Sequence, residues 1–285
     1  MQSLELEAWE PFDLDATLGC GQVFRWENTG GTWTGIVGDR LIRVRQAGRC
    51  LFFEGADEAF IRHYFAIDHD LAGILESIDR DPVIHQAIEG CRGLRIIRQP
   101  PWECLASYII ATFTNIPSIK RRIGLLCREF GEVNFDEGVP YYSFPGPDRI
   151  AGSEECRLRS CSLGYRAPYI CRVSNAVRLD RGWADEIREL PFNYARKRLM
   201  EFPGVGRKVA DCVLLFGFER LEAVPVDVWI ERIFREYYLD PGTKVGYERI
   251  RQYAQEYFGP YAGYAQEYLF WARESLAKKG RAGPK

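Results

Sequence analysis

The chain is poor in the residues that build metal and redox centres. Its 285 residues include only three histidines and two methionines. No two cysteines form a CxxC pair, and none of the histidines (63, 69, 85) lies near Cys156 or Cys161 in sequence, so a zinc site is not expected. No cysteine follows Cys212, which excludes an iron–sulfur cluster held by a C-terminal cysteine loop. The nine cysteines are odd in number and irregularly spaced, and no signal peptide precedes them. Reduced thiols in an intracellular compartment are the expectation. No apolar run is long enough to span a membrane. Net charge is only −2, so no overall positive field argues for a polyanionic partner. Local basic clusters exist at Lys120-Arg121-Arg122, Arg196-Lys197-Arg198 and Arg207-Lys208, but each taken alone reads as solvated helix face.

What is present divides the chain. The first third is strand-like, with short runs at Gln22–Trp26, Thr32–Val37, Arg40–Arg45 and Cys50–Glu54 punctuated by Gly30-Gly31, Gly38-Asp39 and Gly48. Ile42 and Val44 alternate with Leu41, Arg43 and Arg45, as a half-buried strand requires. This predicts an antiparallel meander. From Asp57 onward a period of 3.6 takes over. Helices are expected over 58–65, 71–77, 82–89, 102–114, 119–130, 167–179, 194–202, 208–218, 228–237, 247–257 and 262–277. Val133 to Pro147 reads as a loop rich in Gly, Pro and Tyr, and Lys278 to Lys285 as a frayed basic tail. Gln99-Pro100-Pro101 suggests a boundary between a β-rich unit, 1–98, and a helical unit, 99–285.

The stretch Leu199 to Ile233 carries the chemistry. Pro203-Gly204-Val205-Gly206 forms a tight hairpin between two helical patterns and needs positive φ at one or both glycines. A helix starting at Arg207 would offer free N–H groups to an anion such as a DNA phosphate. Lys208 stands in the first turn, where the positive end of the helix opposes protonation; a neutral lysine is a nucleophile. Asp227, 19 positions later (227 − 208), is placed to cap the next helix and stay ionised. A fixed carboxylate of that kind stabilises a cationic sugar in a transition state. Cys212 shares a helix face with Lys208, while Val209, Val213 and Phe216 form a core stripe. Gln266 and Phe270 share a face of the last helix, a pairing able to read a base edge and stack on its ring. Taken singly, each has a blander reading: a helical corner, a snorkelling lysine, a packing cysteine, a core aromatic. Hairpin, amine and acid together point to an enzyme that grips a DNA backbone and attacks a sugar.

With Gly21-Gln22-Val23-Phe24-Arg25-Trp26, Gly164-Tyr165-Arg166-Ala167 and Gly259-Pro260-Tyr261-Ala262-Gly263-Tyr264-Ala265-Gln266 added in that order around the hairpin, the chain resembles the 8-oxoguanine DNA glycosylases of the helix-hairpin-helix superfamily, over nearly its whole length. The resemblance implies an α+β protein, an N-terminal antiparallel sheet packed on a mostly helical domain. It implies a bifunctional glycosylase/lyase acting on duplex DNA by base flipping, working as a monomer with no required cofactor, in the cytoplasm or nucleoid of a prokaryote or the nucleus of a eukaryote.

It also implies roles. Lys208 matches the Schiff-base lysine and Asp227 the catalytic aspartate. Gly21 matches the glycine whose carbonyl accepts the N7–H of the oxidised base. Cys212 and Phe270 match the pair that sandwiches that base, and Gln266 the reader of its Watson–Crick edge. Tyr165 matches the wedge and Arg166 the arginine on the orphaned partner. Gly204, Gly206 and Arg207 match the backbone grip. The carbonyls of Met200, Phe202 and Val205 match positions that hold a monovalent cation.

The chain departs from the pattern at the opposite-base side. Phe113-Thr114-Asn115 replaces an asparagine run, so only Asn115 remains, and Ser118 replaces a second arginine. Trp229 stands where many members carry histidine. Relaxed opposite-base selectivity is therefore expected. The alternatives are a relative acting on another lesion and a DNA-binding module without catalysis.

Overall fold

The computed structural model describes residues 1–240, 242 and 246–280, the side chains of 278–280 excepted. The helix Arg273–Gly280 covers the start of the expected basic tail; residues 281–285 lie outside the described residues.

The N-terminal third folds into an antiparallel sheet of five strands, β1 (Gln2–Glu5), β2 (Trp26–Thr29), β3 (Thr32–Val37), β4 (Arg40–Ala47) and β5 (Cys50–Glu54), in the order β1-β5-β4-β3-β2. The period-2 pattern lands as the sequence requires: Ile42, Val44, Leu51 and Phe53 are buried, while Arg43 and Arg45 face outward. Phe53 pairs with Val44 across the ladder. Trp26 is buried beneath the sheet, its indole N–H donating to Tyr64 Oη at 2.9 Å.

Three expectations are corrected here. Gln22–Arg25 is irregular backbone, with the strand beginning only at Trp26, because Gln22 is buried and spends its side chain on other segments. Val133–Pro147 contains a β-hairpin, β6 (Val133–Asp136) with β7 (Val139–Tyr142), turned by Glu137 and Gly138, both at positive φ. The final helical stretch is broken at Ala272 into Ala262–Trp271 and Arg273–Gly280. Short helices at Leu14–Gly19, Pro147–Ile150, Glu155–Ser160 and Trp183–Glu189 carry too few periodic residues for the sequence pattern to show them.

The remaining helices follow the expected spans closely, except that the one expected over 102–114 ends at Ile110, before Phe113 at φ +49°. Asp13, Asp57, Asp70, Asp81, Asn115 and Asp227 each cap one, accepting from backbone N–H groups of the first turn. One apolar cluster lies under the sheet and includes Trp26, Phe53 and Phe65. A larger one fills the helical part and already draws on Leu71 to Leu94. Helix Arg207–Phe218 runs through the larger cluster and packs on helix Pro101–Ile110. It is buried nearly all round from Val209, not only along the expected Val209, Val213 and Phe216 stripe.

Candidate active site

The hairpin takes the predicted form with positive φ at one glycine, Gly204, at +87°. A methyl group there would sit 2.8 Å from Tyr169 Cβ, so both conformation and space demand glycine. Gly206 is extended and caps the helix Arg207–Phe218, its carbonyl accepting from Ala210 N at 2.9 Å. The amides of Arg207, Lys208 and Val209 precede the first helical hydrogen bond and are available to an anion.

The two helices that flank this turn are locked by a buried cluster that the sequence did not reveal. Arg196, on helix Phe192–Met200, donates through Nε to Asp211 Oδ1 at 2.7 Å. Asp211 is fully buried and also accepts from Tyr247 Oη at 2.6 Å. Arg196 reaches Glu248 at 2.9 Å, and Glu248 in turn faces Arg207 at 3.4 Å. A mid-helix aspartate among apolar residues gives no periodic signal, and only its partners explain it.

Lys208 and Asp227 line the same cavity, about 380 Å³ of open space, together with Cys20, Gly21, Gln22, Tyr108, Cys212, Phe216, Pro225, Gln266, Glu267 and Phe270. Asp227 is the predicted cap of helix Val228–Tyr237: its Oδ1 accepts from Trp229 N at 3.0 Å and Ile230 N at 2.8 Å. Both bonds fix its carboxylate at the cavity mouth. Cys212 is buried, and burial pushes its thiol up to about 12 against the pull of Lys208, so it presents a neutral, polarisable wall. Phe270 is held by Arg273, whose guanidinium stacks 4.2 Å from the ring centre and donates to the Phe270 carbonyl.

Gly21 reaches this cavity from the sheet side through a network centred on Gln22. The Gln22 amide donates to the carbonyls of Thr17 and Arg95 at 2.9 and 2.8 Å and accepts from Ile97 N at 2.8 Å. Its backbone carbonyl accepts from Gln99 Nε2 at 2.6 Å and Tyr108 Oη at 3.1 Å. Gly21 itself has φ +100°, and a Cβ there would lie 2.9 Å from Ile116 Cδ1.

Of the remaining sequence candidates, Tyr165 and Arg166 form a lip with the turn around Thr112. Tyr165 is half-exposed, its hydroxyl 3.3 Å from Thr112 Oγ1. Arg166 is buried, stacks 4.3 Å from the Tyr165 ring, and donates to the carbonyl of Thr112. Asn115 commits its side-chain oxygen to Ser118 N at 3.0 Å. Between them Phe113 stands 97% exposed at φ +49°, a residue the sequence reading passed over as a mere departure. Trp229 is 38% exposed beside the Asp227 cap. Of the three carbonyls expected to hold a cation, that of Phe202 accepts from Val205 N at 3.1 Å. Among the described residues no group of three or more His, Cys, Asp or Glu side chains is placed to bind a metal, and no helix is long and apolar enough to cross a membrane.

Comparison with known proteins gives the class. The profile "8-oxoguanine DNA glycosylase, N-terminal domain" matches residues 4–105. A protein of Methanothermobacter thermautotrophicus named "Probable N-glycosylase/DNA lyase" is 32% identical over 74% of this chain and 72% of its own. The Arabidopsis thaliana N-glycosylase/DNA lyase OGG1 is 29% identical over 91% and 76% of the two chains. Among solved structures, the Clostridium acetobutylicum 8-oxoguanine glycosylase/lyase, in complex with duplex DNA containing cytosine opposite 8-oxoguanine, superposes with a TM-score of 0.88. It is 32% identical and covers 94% of this chain and 93% of its own. The chain belongs to the 8-oxoguanine DNA glycosylase family of the helix-hairpin-helix superfamily.

Proposed function

We propose that the chain is a bifunctional 8-oxoguanine DNA glycosylase and AP lyase of base excision repair, acting on duplex DNA. The observation that carries the reading is convergence. One cavity collects Gly21, Lys208, Cys212, Asp227, Gln266 and Phe270 from segments far apart in sequence, on a scaffold shared with enzymes of that name.

In this mechanism the hairpin amides and Arg207 hold the backbone, and the oxidised guanine rotates out of the stack into the cavity. Cys212 and Phe270 enclose its faces, and Gln266 reads its edge. The Gly21 carbonyl accepts the N7–H that normal guanine lacks; against an acceptor N7 the same carbonyl would be left unpaired, a discrimination of about 1–3 kcal/mol. Deprotonated Lys208 Nζ attacks C1′, the glycosidic bond breaks with its electron pair passing to the base, and Asp227 stabilises the positive charge on the sugar. The ammonium so formed gives one proton to the departing base; its lone pair then opens the ring, the C1′–O4′ bond breaking and O4′ taking up a proton, and loss of the second N–H proton leaves the imine. Loss of a C2′ proton then expels the 3′ phosphate.

The lip supports relaxed opposite-base selectivity. Phe113 is apolar where a polar reader would be needed, Ser118 is short, and Arg166 is engaged with Thr112. The carbonyls of Met200, Phe202 and Val205 would hold a monovalent cation beside the phosphate; the Phe202 oxygen keeps a second lone pair for it. Activity in the compartment that holds the DNA, and a division into units 1–98 and 99–285, belong to the same reading.

Borohydride trapping on an 8-oxoguanine duplex is the test. A covalent adduct is expected from the native chain and none from Lys208→Gln. An adduct persisting in that variant would remove Lys208 from its role. Free-base release from duplexes carrying 8-oxoguanine, uracil, thymine glycol or alkyladenine separates this activity from action on another lesion and from binding alone.

A further inference from the structure

Glu267 is a carboxyl that the mechanism above does not use, and the resemblance implies no role for it. It lines the cavity beside Gln266 and is only 5% exposed. Its carboxyl lies close to the Gln266 amide and the Cys20 thiol, both of which favour its charged form. Beside it the Gln266 carbonyl oxygen Oε1 is buried without a hydrogen-bond partner. The cavity thus presents acceptors in excess. A buried acceptor without a donor is costly, and a buried carboxylate more so, unless a ligand supplies N–H groups.

Base edges differ in what they supply. Guanine-type bases carry N1–H and a 2-amino group side by side, two parallel donors that match the two oxygens of a carboxylate. Adenine-type bases offer an acceptor at N1 and would set it against Glu267.

Resting on the glycosylase reading, we propose that Glu267 is a specificity-determining residue of the base pocket. Its carboxylate accepts from the 2-amino and N1–H edge of the flipped oxidised guanine, beside the Gln266 Oε1 that has no partner of its own. The groups that face it come from every element around the cavity: Cys20 on the Gly21 segment, Tyr108, Lys208 and Cys212 on the two central helices, Asp227 at its cap, and Arg273 beyond Phe270. Burial, reinforced by Asp227, raises the Glu267 carboxyl to about 7 against the pull of the neighbouring Gln266 and Cys20. The acceptor therefore becomes fully charged only above neutrality, and below it one oxygen is occupied by a proton.

The test compares single-turnover release of 8-oxoguanine with that of 8-oxoinosine, which lacks the 2-amino group, each opposite cytosine. The native enzyme should favour 8-oxoguanine by about tenfold or more, the value of a charge-assisted hydrogen bond. That preference should grow between pH 6 and pH 8.5. Glu267→Gln should lose about tenfold or more on 8-oxoguanine, stay within about threefold on 8-oxoinosine, and show a flat ratio across pH. Equal losses on both bases, or no loss on either, would overturn the proposal. Binding to a duplex with a tetrahydrofuran abasic site, which leaves the pocket empty, reports folding. If Glu267→Gln fails that check, the native ratio decides: a flat profile overturns the proposal, and a rising one supports it. Failure of the functional reading looks different, since the native chain would then release no 8-oxoguanine at all.

Discussion

Lys208 sits at the second position of its helix, and its environment there is set by three side chains of different character. Cys212 is neutral, Asp227 is pinned by its own capping bonds, and Glu267 is buried within the same cavity. Lys208→Gln should lower base release by about a thousandfold or more, measured in single turnover, since it removes the nucleophile itself. Gly21→Ala tests the opposite wall. A methyl at φ +100° and 2.9 Å from Ile116 must displace the 20–22 segment, so its carbonyl moves away from N7. Base release should fall and the distinction between 8-oxoguanine and guanine should narrow; retention of both would show that the wall tolerates the shift. Glu267 carries a stability consequence as well. An acid raised from its ordinary value binds its proton more tightly when folded. The associated stability is complete below about 4.5 and is lost as pH rises through about 7. Glu267→Gln should therefore melt higher than the native chain at pH 9, by an amount on the order of 3 kcal/mol at most, and match it near pH 4.

At the scale of elements, the hairpin depends on one left-handed glycine and one buried ion pair. Gly204→Ala combines a left-handed methyl residue with a collision against Tyr169, and should cost about 2–4 kcal/mol in urea unfolding, with weaker binding to abasic duplex. Asp211→Ala leaves Arg196 without its main buried partner, a change that costs about 3–5 kcal/mol in comparable sites. The first of these was legible in the sequence, because a Pro-Gly-x-Gly corner between two periodic segments has few conformations. The second was not. Asp211 lies on the same helix as Lys208 and Cys212, but its meaning depends on Arg196 and Tyr247, which reach it only in the folded chain, and on Glu248, which holds Arg196. For the same reason Gln22 was read as a strand residue, when its amide in fact fastens three segments together.

Across the whole molecule, the loops around Asp68 and Arg98 are tied to the end of helix Arg207–Phe218. Arg98 donates to Asp68 at 2.6 Å and to Glu219 at 2.7 Å, and His69 bridges Glu219 at 2.5 Å and Tyr264 at 3.0 Å. Burial by itself would raise the Glu219 carboxyl, but the bonds from His69 and Arg98 prevail and hold it at about 2. A depressed acid contributes stability that is present above about 4.5 and disappears as pH falls toward 2. Glu219→Gln should flatten the acid limb of a melting-temperature profile over that window. Phe113, Tyr165 and Arg166 form the lip around Thr112. If opposite-base reading is as loose as this lip implies, base release opposite cytosine, adenine, guanine and thymine should differ by less than about tenfold, or about 1.4 kcal/mol. A spread of a hundredfold in favour of cytosine would mean that Arg166 leaves Thr112 to read the partner.

Local patterns determined the strand alternation around Ile42 and Val44, the helical periods, the Gly204 corner and the Asp227 cap, because each depends on residues within a few positions of one another. The motif order also marked which side chains belong to one chemistry. Packing alone decided that the Gly21 segment and helix Ala262–Trp271, more than two hundred residues apart in sequence, line one cavity. It also decided that Asp211 is structural and that Glu267, one position from the expected base reader, lies inside the pocket. A carboxylate has no fixed meaning in a sequence; its meaning comes from the water removed around it and the donors brought to it, and only the folded chain supplies both.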